Sequence, residues 1–414
     1  MLNAAFTEWL HEGGANIYGV EAAAVSEGYR GVVAKSEIEP GSILVRVPER
    51  LLLSAHSAKK DRVFAEALSS SAHPSATSTQ VLAAHLLHEV YKGTQSFWGP
   101  YLASLPRQYS CLSYFTPEYA QELQVAYAVE VAKSVAEALR SDYTSVKPLL
   151  NALGMPAKFK TLGAWRWAAA TVASRTMHLP DDAAGALMPF GDLHNHRSPP
   201  ATTQPDLGVL AQSHLTTDSQ DNSESSGTGR FDTEMREYQL FAQTRYWPGE
   251  QVFLSYGAHT NLELLEHYGF VLEDNPHDTA QLPVEMLPED IRGTVPVKAS
   301  CLQHNGMPSW ELLRELRIWA ASKTGCMQKK YLAAEGKPIS NVSEACAFRT
   351  ISAVCQDFLW QLPTTYEEDA AMLQSQENIG ECQQLAILWR MYYKRILQNG
   401  IELARQVIET STVT

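Results

Sequence analysis

A change of period constrains this chain more than any other feature of it. Short strand patterns with glycine turns come first, a long helical pattern interrupts them, and strand patterns resume at Tyr238. Val20 to Val25 and Gly31 to Ala34 read as strands around the turn Ser26-Glu27-Gly28, and Ile43 to Val47 as another after Glu39-Pro40-Gly41. Ahead of them, residues 4–12 form an amphipathic helix with Phe6, Trp9 and Leu10 on one face. From about residue 76 the spacing becomes helical, with Leu82, Leu86 and Val90 on one stripe. Thr116-Pro117 supplies a capping hydroxyl and a first-turn proline for a helix running to about Arg140, and another covers Thr161 to about Ser174. The block from about 76 to 174 is therefore an insert in a β-rich domain. Its histidines, His85 and His88, read as core and helix surface rather than as ligands.

Two later stretches carry the chemistry. Gln251 to Tyr256 reads as a strand through Val252, Phe253, Leu254 and Tyr256, and Gly257 breaks it. Asn261 is placed to cap a short helix bearing Leu262 and Leu265, and Tyr268-Gly269-Phe270 follows around a tight turn. Upstream lies Pro189-Phe190-Gly191-Asp192-Leu193-His194-Asn195-His196. Together these resemble the two signature motifs of SET-domain protein methyltransferases, a D-x-x-N-H segment and a Y-G segment followed by N-x-x-L-L and Y-G-F. The spelling is closest to the subgroup that includes Rubisco large-subunit methyltransferase. Arg30-Gly31-Val32-Val33-Ala34 matches that family's R-G-x-x-A turn, and Trp98-Gly99-Pro100-Tyr101 with Leu105-Pro106 resembles its W-x-P-Y-x-x-x-L-P segment.

The resemblance implies an α+β fold. Residues 1–278 would form a β-rich, pseudoknotted SET domain with the helical insert, and 279–414 an all-α, C-terminal substrate-binding domain. It implies S-adenosyl-L-methionine (AdoMet) as methyl donor and no metal. Tyr256 matches the catalytic tyrosine. Asn195 and His196 match the pair that holds the cofactor's amino-acid end, and Arg175 matches an arginine facing its carboxylate. Asp192 fixes the same segment, Arg30 and Gly31 lie against the cofactor, and Tyr268 and Phe270 wall the cofactor and the target-amine channel. Most relatives methylate lysine. One methylates an actin histidine and carries an asparagine two residues after that arginine. The residue here is Met177, which cannot donate a hydrogen bond to an imidazole, and this favours lysine. A histidine acceptor and an inactive protein-binding scaffold are the alternatives. A metal cluster of Asp192, His194 and His196 lacks a completing ligand pair.

Composition narrows the partners. At 414 residues the chain exceeds one ordinary core, and a net charge of −13 disfavours a broad nucleic-acid surface while suiting a basic protein substrate, ribosomal proteins among them. Six cysteines with no C-x-x-C pair fit a reducing compartment, cytoplasmic or nuclear. No signal peptide or membrane span is read, and a monomer is expected. Ser198 to about Asp232 is polar and reads as a mobile loop. Beyond Asp278 helices are expected throughout, among them Trp310 to Ser322, Ser343 to Leu362 and Gln376 to Glu409. The last carries an apolar stripe (Leu385, Leu388, Met391, Tyr392, Ile396) with Arg390 and Lys394 outside it.

Overall fold

The computed structural model describes residues 4–26, 29–70, 76–199, 228–375 and 379–413. The chain opens with α1 (Ala4–Glu12), β1 (Asn16–Ile17), β2 (Val20–Ser26), β3 (Tyr29–Ala34), β4 (Ile43–Pro48), β5 (Leu53–Ser54), α2 (Ala55–Lys60) and α3 (Arg62–Ser69). Then come α4 (Ser78–Lys92), α5 (Gly99–Leu102), α6 (Pro117–Gln121), α7 (Ala126–Ala152) and α8 (Leu162–Arg175). Strands resume with β6 (Thr176–Leu179), β7 (Asp182–Leu187), β8 (Asn195–His196), β9 (Gly229–Asp232), β10 (Glu237–Phe241) and β11 (Gln251–Leu254). After α9 (Asn261–His267), β12 (Thr279–Gln281) and β13 (Cys301–Gln303), the chain ends in α10 (Trp310–Thr324), α11 (Tyr331–Ala334), α12 (Asn341–Gln361), α13 (Tyr366–Gln374) and α14 (Glu381–Val413). No helix among the described residues is long and apolar enough to cross a membrane.

The first of two compact units holds residues 1–109 and 136–258. Its sheets run β1-β4-β10-β9, β2-β3-β11-β8 and β5-β7-β6. Strands from either side of the helical insert pair directly: Tyr238 faces Val47, and Val252 faces Val32. Period-2 burial drives this closure, since Val252 and Leu254 of β11 enter the core while Gln251 and Phe253 stay half-buried. Helix α4 starts from a Thr77–Gln80 capping box and buries every residue from Val81 to Glu89, so it is a core helix rather than a surface one. Of the expected polar loop, residues 200–227 lie outside the described residues, and its end is corrected. Gly229–Asp232 is a strand, recruited by antiparallel pairing with β10.

The second unit holds residues 110–135 and 259–414. The helix expected from Thr116 to about Arg140 is broken. Gln124 takes a left-handed φ of 62°, which ends one helix and lets Leu123 and Val125 both reach the core. Leu112, Phe115, Leu123, Val125 and Val129 belong to this unit's core, so Ser110–Val135 groups here and not with the rest of the insert. Helix does not follow Asp278 at once, because β12 and β13 form an antiparallel ladder first.

The exposed positions expected for Arg390 and Lys394 are also corrected. Both side chains are 1% exposed and close on Asp369 of α13, at 2.7 Å and 2.5 Å. Arg390 also reaches Glu122, at 2.6 Å. Charges this deep are tolerated because each has an opposite partner. Nor does Asn261 cap α9. Thr260 does, in a capping box with Glu263. The Asn261 side chain instead accepts from the Leu272 N–H and donates to the Leu272 carbonyl and to Asp278, tying the turn that follows α9.

Candidate active site

Strand β8 is two residues long and pairs parallel with β11, Asn195 against Phe253 and His196 against Leu254. That register puts the Asn195-His196 end of one motif beside the strand that leads into Tyr256-Gly257, within the first unit. The Tyr256 N–H donates to His196 Nδ1 at 3.0 Å, and the two rings lie 4.9 Å apart. The Tyr256 hydroxyl donates to the His194 carbonyl oxygen at 2.6 Å. The ring of His194 is buried beneath, with Nδ1 3.0 Å from the Gly191 carbonyl, and burial pushes its pKa down to about 4. His196 Nδ1 is taken by the Tyr256 N–H and Asp192 Oδ2 by Arg175 and Tyr101.

Gly31 and Arg30 join the same place from β3. Asn195 Nδ2 donates to the Arg30 carbonyl at 3.1 Å. A Cβ on Gly31 would stand 2.7 Å from Gln251 Nε2, 2.9 Å from Val25 Cγ1 and 3.0 Å from Asn195 Nδ2, so any side chain there would displace these neighbours. The Arg30 guanidinium donates to the Ser104 carbonyl at 2.8 Å.

Arg175 and Asp192 form a buried pair. Arg175 Nη1 donates to the Asp192 carboxylate at 3.0 Å and to its carbonyl at 2.9 Å. The Tyr101 hydroxyl donates to the same Asp192 oxygen at 2.9 Å. Burial pushes the Asp192 carboxyl up against the opposing pull of Arg175, and pushes the Tyr101 phenol well above its ordinary value. Arg175 Nε and Asp192 Oδ1 are buried with no partner among the described residues. Tyr101 was readable only as part of an aromatic-proline connector. The signal that flags it is a buried hydroxyl, which seldom goes unpaired.

Tyr268 and Phe270 lie in the second unit, half-buried, with ring centroids 6.1 Å apart. Gly269 between them has φ of 76°, and a Cβ there would stand 2.8 Å from the Cys111 nitrogen. Tyr256, His196, Asn195, Arg30, Gly31, Arg175 and Asp192 all belong to the first unit.

Protein SET DOMAIN GROUP 40 of Arabidopsis thaliana is 33% identical to this chain over 368 residues, which cover 85% of the chain and 72% of that protein. The chain belongs to the SET-domain methyltransferase family. Residues 262–397 of this SET-domain protein match the family model described as Rubisco LSMT substrate-binding. The actin-histidine N-methyltransferase of Gallus gallus is 25% identical over 430 residues, 96% of this chain and 67% of that one. A crystal structure of the SET domain of LSMT, bound to lysine and AdoHcy, superposes with a TM-score of 0.64 at 20% identity, over 97% of this chain and 91% of that one. The two share a fold.

Proposed function

We propose that this SET-domain protein is an AdoMet-dependent protein-lysine N-methyltransferase. The carrying observation is the β8–β11 pairing, which joins Tyr256, His196 and Asn195 in one hydrogen-bonded cluster. Bound AdoMet would supply a methyl group on a sulfonium, ready for in-line transfer to nitrogen. The residues present fit its amino-acid end. Arg175 Nε is a buried cationic donor and Asp192 Oδ1 a buried anionic acceptor, neither partnered among the described residues, and they are complementary to a carboxylate and an ammonium. Asn195 and His196 complete that cradle.

Tyr256 orients the acceptor. Its proton is committed to the His194 carbonyl, so towards substrate the phenolic oxygen acts as a hydrogen-bond acceptor. A lysine amine has an ordinary pKa of roughly 10.4, and an apolar site beside a sulfonium lowers it by desolvation and like-charge repulsion. The amine then loses its proton to water, and this reading assigns no general base.

Met177 supports lysine over histidine. It lies on β6 beside the Gly191 turn, with its terminal methyl 3.1 Å from where a Gly191 Cβ would be. A thioether there donates no hydrogen bond to an imidazole. The likeness to an actin-histidine N-methyltransferase supports the second reading, a histidine acceptor. The substrate is a protein, held by the region 262–397 that resembles a substrate-binding family, and the net charge of −13 suits a basic one. The test is transfer of labelled methyl from AdoMet to proteins of a source-cell extract by wild type and Tyr256→Phe. Label that is incorporated by wild type and falls at least tenfold in the variant supports the reading. No incorporation by a wild type that binds AdoMet makes the chain a binding scaffold.

A further inference from the structure

The first unit contains a second polar cluster, remote in sequence from either motif. His85, His88 and Glu89 lie on one face of α4, as residues three and four apart on a helix do, and all three are buried. One ligating atom from each falls within 4.8 Å of the others. Among the described residues, neither ring nitrogen of His85 and not the Nδ1 of His88 has a hydrogen-bond partner. Packing accounts for where the rings sit, since Phe64 and Trp98 contact His85 edge-on at 5.3 Å and 5.6 Å. It does not account for three buried nitrogens left unpaired, which a fold ordinarily avoids.

The carboxylates are oriented as a coordination shell requires. Glu89 Oε2 accepts from the Ser96 hydroxyl at 2.6 Å, leaving Oε1 towards the cluster. Asp61 lies outside that group of three: its Oδ1 caps α3 through the Phe64 N–H at 2.9 Å, and its Oδ2 is taken by Lys92. Between the two oxygens sits the Lys92 ammonium, 2.5 Å from each. The charges that face the cluster are therefore Asp61, Glu89 and Lys92, a net of one negative. Burial disfavours protonation of both imidazoles, so their lone pairs are available.

We infer that His85, His88 and Glu89 form the core of a site for one divalent transition metal of the zinc class, with Asp61 as the fourth ligand drawn in across Lys92, the internal cation that holds the place when metal is absent. Two imidazoles and two carboxylates suit zinc in a tetrahedral structural site, and each carboxylate already has the outer-shell hydrogen bond such sites use. Tetrahedral zinc needs neighbouring ligand atoms about 3.4 Å apart, so the three atoms, which lie within 4.8 Å of one another with His85 Nδ1 and Glu89 Oε1 at 3.9 Å, must draw together on binding. Lys92 must swing out, and its side chain, 26% exposed, has access to water. The dication replaces the ammonium and leaves the four-ligand site neutral.

The experiment uses full-length protein dialysed against chelator and titrated with Co2+, then with Zn2+ in competition with a chromophoric chelator. The inference requires one equivalent of Co2+ with the visible band of a four-coordinate site. Lys92→Gln, which removes the competing cation, binds at least tenfold more tightly, and His88→Gln at least tenfold more weakly. Circular dichroism confirms that each variant is folded before titration, and metal raises the melting temperature of wild type and Lys92→Gln but not of His88→Gln. Absence of stoichiometric binding overturns the inference. So does binding of equal strength in wild type, His88→Gln and Lys92→Gln, which marks adventitious surface histidines. Methyl transfer is not the readout, so either result leaves the proposed function to its own test.

Discussion

Replacing Tyr101 with phenylalanine isolates one hydrogen bond at the candidate site. The ring is fully buried, and phenylalanine fills the same space, so no cavity opens. What disappears is the hydroxyl that donates to Asp192 Oδ2 at 2.9 Å. Burial keeps that phenol protonated across the accessible pH range, so it is always the donor. Losing a hydrogen bond to a buried carboxylate costs about 1.5–3 kcal/mol. For a unit of this size that lowers the melting temperature by roughly 3–12 °C. Arg175 still holds the same oxygen at 3.0 Å, but from one side only, so the carboxylate gains rotational freedom. AdoMet affinity should therefore fall about tenfold by calorimetry if the Asp192–Arg175 pair receives its amino-acid end. Tyr143→Phe, which removes a hydroxyl bonded to the Lys160 carbonyl at 2.6 Å, is the comparison that should leave AdoMet binding nearly intact. Loss of stability in Tyr101→Phe with unchanged AdoMet affinity would refute the assignment of this pair to the cofactor, while leaving the hydrogen bond itself established.

Gly31→Ala should stay folded, because Asn195 and Gln251 can yield, but methyl transfer should fall at least tenfold; activity equal to wild type removes Asn195 from the cradle. His194 is neutral when folded, with a pKa near 4 against an unfolded value of roughly 6.5, so its contribution is complete above the unfolded value and lost as pH falls through that window. Going from pH 7 to pH 5 should cost about 2 kcal/mol from this ring alone, and urea melts should show His194→Gln losing correspondingly less. Asp369→Asn leaves Arg390 and Lys394 buried without their shared counter-charge and should cost about 3–5 kcal/mol in the second unit. Glu402→Gln, at an exposed pair with Arg405, should change thermal stability by no more than the error of the measurement.

The strands were legible where one face alone is buried. Val252 and Leu254 alternate with Gln251 and Phe253, and that period survives folding intact. Helix α4 hid its character, because burial on all sides leaves no polar face to read, and His85 and His88 read as core and helix surface rather than as ligands. Arg390 and Lys394 were placed outside the stripe of α14 for the same local reason. Their partners, Asp369 on α13 and, for Arg390, Glu122 far earlier in the chain, are tertiary and carry no periodic signal. The break at Gln124 had no glycine or proline to mark it. At the candidate site, Tyr256, Asn195 and His196 were singled out by their motifs, and the parallel pairing of β8 with β11 brings those segments together. Tyr101 was not found, because the need for it arises only from Asp192, a residue far along the chain.

The acceptor atom is the centre of the account, and amino-acid analysis of the methylated product reads it directly. Substrate protein labelled by this enzyme with radioactive AdoMet is acid-hydrolysed and its residues are separated against methylated standards. The account predicts label in Nε-methyllysine, absent when Tyr256→Phe replaces wild type. Label in methylhistidine would contradict the use made of Met177 and transfer the enzyme to the histidine reading.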